Sequence, residues 1–496
     1  MKIRQAADLM GAQGSHLSAE LFDKEIVGFS IDSRTTGAGE LFFALSQADY
    51  ARAGFNGTFA DAHRFIPQAL EEGALAAVAR RDRVREDAGL RAMSDRLLLV
   101  EDAIVALQTL AHKVYEAWAR PVVAITGSAG KTTAKELTAH LLLSSGRRVL
   151  KSERNYNNGL GLPLAVLQMV TEGRKPEEFD LAVLEMGMSS PTHEIERLCQ
   201  ITPPDIGVEL LVAPVHLEHL GTIENIAAAK AELIEGLKPG GTAVLNADDE
   251  RVIAMRKIHD GPIVTFGVEN ASDVTATEID TSRFGRSRFS LRTPRGSAPA
   301  VLPMPGRHNL MNALAAAAVA TCFEIAPEEI AKAFRSVTPA KMRGEVIDFA
   351  AGFTVVDDSY NSNPRSLLSI VRTIAEGSAS NTRRRIVVAG EMLELGPEGE
   401  RMHREAGQEI ARSGVDLLWG VRGLAQAIVE GGRAAGMSNT AARFFETSEQ
   451  AAAAICDEVR EGDLVLVKGS RGVETDKVVR MLRDRFPALG ADEEKQ

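Results

Sequence analysis

The chain has 496 residues, of which 45% are hydrophobic, 25% charged and only 5% aromatic, a balance that fits about three globular domains with sizeable cores. Its formal net charge of -11 argues against bulk binding to nucleic acid or to an anionic membrane surface. Positive contacts to any anionic ligand must therefore be local. Cys199, Cys322 and Cys456 are scattered without CxxC spacing, which fits a reducing cytoplasm better than a disulfide framework or a zinc site. The N-terminal MKIRQAADLMGAQG has no apolar h-region, and no stretch approaches the length of a membrane helix. A cytoplasmic protein is expected.

Residues 1–118 read as a small α/β domain with strands at Val27–Asp32, Leu41–Leu45, Ala74–Ala79 and Leu97–Val100. Asp32-Ser33-Arg34 falls where the first strand meets a loop, and an arginine beside small hydroxyl residues suits a diphosphate or a nucleotide sugar. The competing reading is a solvated turn with a local Asp–Arg pair. Arg120-Pro121 marks a domain boundary.

Residues 119–340 alternate strand and helix, the pattern of a mostly parallel sheet with crossover helices. Val122–Thr126 is a short run of branched apolar residues and reads as a buried strand. It breaks into Gly127-Ser128-Ala129-Gly130, then Lys131-Thr132-Thr133, then a helical pattern. Strand, glycine turn and helix make a phosphate cradle, in which backbone N–H groups and a helix N-terminus face the anion. Lys131 would neutralise β- and γ-phosphate oxygens, and the Thr132 hydroxyl would ligate Mg²⁺. Ile125 stands where the strict GxxxxGK[ST] pattern needs its first glycine, leaving the shorter GxxGKTT. The bland competitor is a tight turn followed by a surface lysine.

The stretch DLAVLEMG, residues 180–187, reads as a second buried strand that delivers Glu185 near its end, and 205–212 as a third, followed by His216 and His219. Ligands of open α/β sheets collect beyond such strand ends, so Glu185 and His216 are placed to meet the cradle. A carboxylate paired with some buried cation, and two loop histidines without metal duty, are the structural competitors. Lys230 lies among small residues on the next helix, where a snorkelling side chain is the ordinary explanation. Residues 270–300 read as a β-rich insert or edge. The run PGRHNLMN opens an alanine-rich helix, with Asn309 and Asn312 one turn apart and able to face an adenine together. Helix capping by Asn309 competes with that reading.

TPAKMRG, residues 338–344, reads as a linker into a third, doubly wound domain with strands at 354–357, 385–390, 416–419 and 463–467. Its polar clusters DSYNSNP, GEM and KGSR fall at three predicted strand ends and imply one ligand-facing rim. The tail ADEEKQ reads as disordered.

TGSAGKTT, the strand ending in Glu185, HLEHLG, AKAEL, LNADD, PGRHNLMN, DDSYNSNP and KGSR occur in the order seen in the Mur ligase family, which the chain resembles over nearly its whole length. DDSYNSNP followed by GEMLELG and LVKGSR resembles the member that completes the peptidoglycan precursor pentapeptide. The resemblance implies an α/β protein of three domains. Residues 1–118 would bind the UDP substrate, 119–340 would form the central P-loop-type ATP-binding domain, and 341–496 a Rossmann-like doubly wound domain. It implies an ATP- and Mg²⁺-dependent peptide ligase that adds D-alanyl-D-alanine to UDP-N-acetylmuramoyl-tripeptide through an acyl phosphate, working as a monomer.

By the same resemblance Gly127, Ser128, Ala129, Gly130, Lys131, Thr132 and Thr133 bind the ATP phosphates. Thr132, Glu185 and His216 sit around Mg²⁺ with Lys230, the lysine that the family commonly carries as a carbamate. Asn309 and Asn312 match the adenine contact, and Arg343 and Asp358 match third-domain residues that reach ATP on domain closure. Asn155 and Asn158 belong to an NxNN loop near nucleotide and UDP substrate, and Ser33 and Arg34 match the uridine side. Asn361, Asn363 and Lys468 face the amine substrate. The segment from Met188 to His193 is longer than the compact Asn-His of other members, and His193 takes no role. A folate-type relative would share the central domain but lack the first domain with its DSR, and a nucleotide-dependent switch would hydrolyse ATP without ligation.

Overall fold

The computed structural model describes residues 1–14, 16–55, 57–153, 156–188, 193–214, 220–281, 285–339, 341–376 and 382–489. Among these, the strands form three sheets, and the class is α/β as expected. The first sheet runs β1 (Gly28–Ser30), β2 (Glu40–Phe43), β3 (Ala76–Arg80) and β4 (Leu97–Val100), parallel and in chain order. The helix Ala103–Trp118 follows, its Ile104 and Val105 N–H groups donating to the Asp102 carboxylate. It stops at Ala119, in the left-handed region at φ 50°, and Pro121 bars its continuation. Its apolar stripe, including Leu107, Leu110 and Val114, lies in a core that also holds Leu41 and Phe43 of the first sheet and Leu184 and Leu233 of the central unit.

The central sheet comprises β5 (Val122–Thr126), β6 (Val149–Lys151), β7 (Leu181–Glu185), β8 (Ile206–Glu209), β9 (Thr242–Asn246), β10 (Ile263–Gly267), β11 (Val274–Asp280), β12 (Ser287–Thr293) and β13 (Gly296–Leu302). Their spatial order is β13-β12-β11-β10-β9-β8-β5-β7-β6. Only β12 runs against the rest, pairing antiparallel with β11 and with β13, so the β-rich stretch near 270–300 is an edge of this sheet rather than a separate insert. β12 alternates buried with exposed residues, as a strand covered on one face should, whereas β5 is buried throughout because helices cover both of its faces. The helix Arg307–Cys322 packs against Lys131–Ser144, and its buried alanines from 313 to 320 allow the close approach.

The third sheet has β14 (Glu345–Asp348), β15 (Thr354–Asp358), β16 (Arg384–Gly390), β17 (Leu417–Val421), β18 (Ala442–Phe445) and β19 (Asp463–Lys468), in the order β14-β15-β19-β16-β17-β18. All pairings but β14–β15 are parallel. The edge strands β14 and β18 escape the sequence reading because each is four residues long and incompletely buried. β15, β19 and β16 are neighbours, so residues 358, 468 and 390 end side by side and form the expected polar rim. No helix among the described residues is long and apolar enough to cross a membrane. All three cysteines are free.

Candidate active site

At the end of β5 the chain turns through Gly127 and Gly130, and the helix starts at Lys131. Gly130 is the helix N-cap at φ 87°, and the Asn312 amide fills the place where a side chain would stand. Both constraints require glycine. Ser128 fastens the loop: its N–H donates to Leu211 O (2.9 Å) and its hydroxyl to Ala213 O (3.1 Å). Lys131 is no free surface lysine. Its Nζ folds back to donate to Gly127 O at 2.8 Å, and burial in the cleft holds its pKa below the usual lysine value.

Glu185, the last residue of β7, is 4% exposed. Thr132 Oγ1 donates to its Oε2 at 2.7 Å, and Asn157 Nδ2 donates to its Oε1 at 2.8 Å. Its own N–H donates to the Ser152 hydroxyl (3.2 Å), while Lys135 Nζ donates to Ser152 O (2.5 Å). Glu185 is therefore fixed by hydrogen bonds; among the described residues no ion pair reaches it, although Lys131 attracts it from nearby.

Lys230, on the helix Ile223–Glu235, is 2% exposed. The snorkelling expectation fails here, because the ammonium lies inside the protein rather than at its surface. Desolvation pushes its pKa down to about 8, opposed by Glu209 and aided by repulsion from Lys131. Burial pushes Glu209 in the opposite direction, up to about 8.

A cleft of about 1100 Å³ joins the cradle to the third domain. Gly130, Lys131, Thr132, Glu185, Asn158, Asn309 and Asn312 line its central wall; Arg343, Asp358, Asn361, Asn363 and Lys468 line the other. β15 and β19 register Asp358 beside Lys468, whose Nζ donates to Asp358 Oδ2 (2.6 Å) and Asn361 O (2.9 Å). Arg343 is placed by bonds from Gly344 N–H to Asp357 O and from Tyr360 N–H to Met342 O, and its guanidinium stacks 3.9 Å above the Tyr360 ring. Asn363 accepts from Ser366 N–H and starts the helix Pro364–Glu376, and Asn158 accepts from Leu160 and Gly161 N–H. Asn309 is not a helix cap: Gly306 holds that position, and Asn309 Nδ2 donates back to Pro305 O at 2.8 Å.

Residues 125–320 match the Mur ligase middle domain, and residues 342–471 the Mur ligase glutamate ligase domain. The chain is 31% identical to the UDP-N-acetylmuramoyl-tripeptide--D-alanyl-D-alanine ligase of Bacillus subtilis, across 92% of this chain and 93% of that relative. The chain belongs to the Mur ligase family. Among solved structures, this Mur ligase is similar to MurF from Acinetobacter baumannii, with a TM-score of 0.81, 28% identity and 98% of each chain covered. It is also similar to the MurF ligase of Thermotoga maritima in complex with ADP, with a TM-score of 0.76, 26% identity, and 95% and 99% of the two chains covered.

Not every expected site residue of this Mur ligase lies in the cleft. Arg34 donates to both Asp32 oxygens (2.9 and 2.6 Å) with 82% of its side chain exposed, the local pair that competed with substrate binding. Ser33 beside it is buried, and neither residue lines the cleft. Asn155, His216, His219 and the tail 491–496 lie outside the described residues. So does most of the segment before His193, which itself reaches Glu196 and Glu232 at 3.2 Å.

Asn157, His308 and Arg365 also line the cleft, and the sequence reading gives none of them an individual role. Asn157 holds Glu185, and its signal was its place in the same asparagine run. His308, whose pKa burial pushes down to about 4, shares a hydrogen bond of 3.3 Å between its Nδ1 and Ser369 Oγ of the facing domain. Arg365 reaches Asp249 at 3.7 Å across the cleft. For the last two, only the fold reveals the partner.

Proposed function

We propose that this Mur ligase joins D-alanyl-D-alanine to UDP-N-acetylmuramoyl-tripeptide at the expense of ATP, completing a peptidoglycan precursor in the cytoplasm. The observation that carries this reading is a cleft with a phosphate cradle on one wall and a basic, amide-rich rim on the other, in a chain whose relatives bear that ligase's name. A folate-type ligase is the weaker reading, because the likeness to MurF spans the first domain as well.

The terminal tripeptide carboxylate attacks the γ-phosphorus, the bond to the ADP oxygen breaks, and an acyl phosphate forms. The dipeptide amine then attacks the acyl carbon, phosphate leaves with the C–O bond electrons, and the amine sheds a proton. No protein nucleophile is needed; the residues position reactants and offset charge. Lys131 exchanges Gly127 O for phosphate oxygens, and the N–H groups from 127 to 133 complete the cradle. Asn309 and Asn312 face the adenine. Arg343 and Asp358 approach the nucleotide from the third domain, while Lys468, Asn361 and Asn363 hold the amine substrate. Asn155 and Asn158 serve the UDP substrate, and Ser33 and Arg34 its uridine side outside the cleft, where Arg34 exchanges its pair with Asp32 for the ligand.

The Thr132 hydroxyl and Glu185 carboxylate, 2.7 Å apart, are the hard oxygen donors that Mg²⁺ favours, and these residues fit that ion. Lys230, in this reading a carbamate, and His216 complete the set that would hold it. Bound there, Mg²⁺ would neutralise phosphate charge. Closure of the third domain over the site would exclude water from the acyl phosphate.

Mass spectrometry of the reaction of ATP, UDP-N-acetylmuramoyl-tripeptide and D-alanyl-D-alanine tests the proposal. The expected product is the UDP-linked pentapeptide, with phosphate release dependent on both acceptor and dipeptide. Phosphate release indifferent to both would overturn it in favour of a nucleotide switch.

A further inference from the structure

The loop that follows β16 brings residues 391–395 to the cleft. Its Met392 and Leu395 side chains are buried in one core of the third sheet, while Glu394 lines the cleft. Ser470, two residues past the end of β19, laces this loop to its neighbours. Its N–H donates to Glu391 O (3.2 Å), and its hydroxyl accepts from Leu393 N–H (3.0 Å) and lies 3.5 Å from Ser362 O. The loop is thus tied both to the Lys468 strand end and to the Asn361–Asn363 segment. An amine substrate reaches this wall largely as an ammonium ion. Among the described residues, the third-domain carboxylates lining the cleft are Asp358, paired with Lys468 at 2.6 Å, and Glu394.

The Met392 N–H of the same loop ends on a side chain beneath it: it donates to His403 Nε2 at 2.8 Å. His403 belongs to the helix Gly399–Arg412 and has no exposed surface, and its Nδ1 lies 2.6 Å from Gly399 O. A backbone N–H can only donate and a carbonyl can only accept. Nε2 therefore carries the lone pair and Nδ1 the proton, and only the neutral ring in this tautomer serves both contacts. Burial favours that neutral form, against the Gly399 hydrogen bond and the attraction of Glu391, the charged group facing the ring. The helix beneath is a firm base, since it packs so closely on the helix Ala425–Ala434 that a side chain at Gly407 would strike Ile428 O. An apolar side chain at 403 could fill the same space but would leave the Met392 N–H unpaired. What histidine adds is the hold on the loop.

We propose that His403 is a positioning residue for the amine substrate, which from behind the rim holds residues 391–394 so that Glu394 stands in the wall of the cleft that takes the dipeptide. This assignment rests on the ligase function above and deepens it by one residue that touches no substrate. His403 and Ser470 grip adjacent N–H groups of the loop, those of Met392 and Leu393, from two different elements. Loss of either grip leaves the nucleotide side of the cleft, built from the central domain, untouched.

The test compares His403→Leu, His403→Gln, Ser470→Ala and Glu394→Gln in the full chain, measuring kcat, Tm and KM for D-alanyl-D-alanine and for ATP. His403→Leu and Glu394→Gln should raise KM for the dipeptide about tenfold or more and keep KM for ATP within about threefold. His403→Gln, whose amide offers both an acceptor and a donor, should return the dipeptide KM to within about threefold of the unsubstituted chain. Ser470→Ala, which frees Leu393 N–H, should raise the dipeptide KM selectively, by about threefold or more. An unchanged dipeptide KM in a folded His403→Leu, or in Ser470→Ala should His403→Leu not fold, overturns the assignment, as does one in Glu394→Gln. So does an equal rise of both KM values in His403→Leu, or a His403→Gln variant as impaired as His403→Leu, either of which would make His403 structural. No turnover in the unsubstituted chain would overturn the ligase function itself, a distinguishable failure.

Discussion

Replacing Gly130 by alanine puts a methyl group where the Asn312 side-chain oxygen already sits, at a residue whose φ is 87°. The left-handed conformation costs alanine about 1–2 kcal/mol. Overlap in a packed setting adds about 1–3 kcal/mol. Asn312 is 6% exposed on a helix held by buried alanines, so it has little room to retreat. The total, about 2–5 kcal/mol, is less than the stability of most domains, so the chain still folds and the strain is released at the loop. Lys131 and Thr132 follow directly, and any shift of the loop pulls Thr132 away from Glu185. The expected outcome is a Tm lowered by several degrees and a KM for ATP raised about tenfold or more, read by coupled ADP release. Gly146→Ala is the control: its φ is 86°, near the far end of the same helix, and nothing lies within 4 Å of the added methyl. It should lower Tm by the conformational share alone and leave KM for ATP unchanged. An unaltered KM in Gly130→Ala, or an equal rise in both variants, would refute the steric argument.

Lys131→Ala should abolish ligation without lowering Tm, since it removes a lysine already disfavoured by burial; residual turnover above about one hundredth would exclude Lys131 from the mechanism. Asn157→Ala takes one hydrogen bond from the buried Glu185 and should cost about 1–3 kcal/mol in thermal or urea unfolding, with a matching loss of kcat. His308 gives a pH signature. Burial lowers its pKa from 6.5 to about 4, so between those values the unfolded chain binds a proton that the folded chain resists. Its share of stability is complete above pH 6.5 and is lost, by about 2–3 kcal/mol, as pH falls toward 4. His308→Gln should flatten the fall of Tm across that window, and parallel curves for variant and parent would refute the assignment.

Much of this arrangement is legible in the sequence because it is local. The strand-to-helix turn around residues 127–131 is written in one run, and Glu185 follows from a single buried strand. The ends of β15, β16 and β19 were also readable, since each polar cluster directly follows an apolar stretch. What failed to show was set by tertiary contact. The interior position of Lys230 depends on β8 packing beneath its helix, and the small residues around it are equally compatible with a surface stripe. The Arg34–Asp32 pair was visible as an alternative, and the choice between pairing and ligand binding depends on neighbours far along the chain. Glu209 looks like one polar residue in an apolar strand until β5 is placed beside it.

The two outer domains are attached to the central one by different physics. The first sheet shares a continuous hydrophobic core with the central unit, so separating them would expose Leu41, Phe43, Leu110 and Leu184 to water together. The third sheet has two cores of its own, one on each face, and neither includes a central-domain residue. Its described ion pair across the cleft is Arg365 with Asp249 at 3.7 Å, and its hydrogen bond there is Ser369 with His308 at 3.3 Å; the arginine is 57% exposed. The hydrogen bond contributes about 0.5–1.5 kcal/mol, and the long ion pair, exposed on its arginine side although Asp249 is buried, about 0–1 kcal/mol. Opening the cleft therefore costs little when the third domain moves and much when the first one does. Among the described residues, the wall that carries Asp358 and Lys468 is thus the less firmly held, while the cradle stays anchored to the larger core.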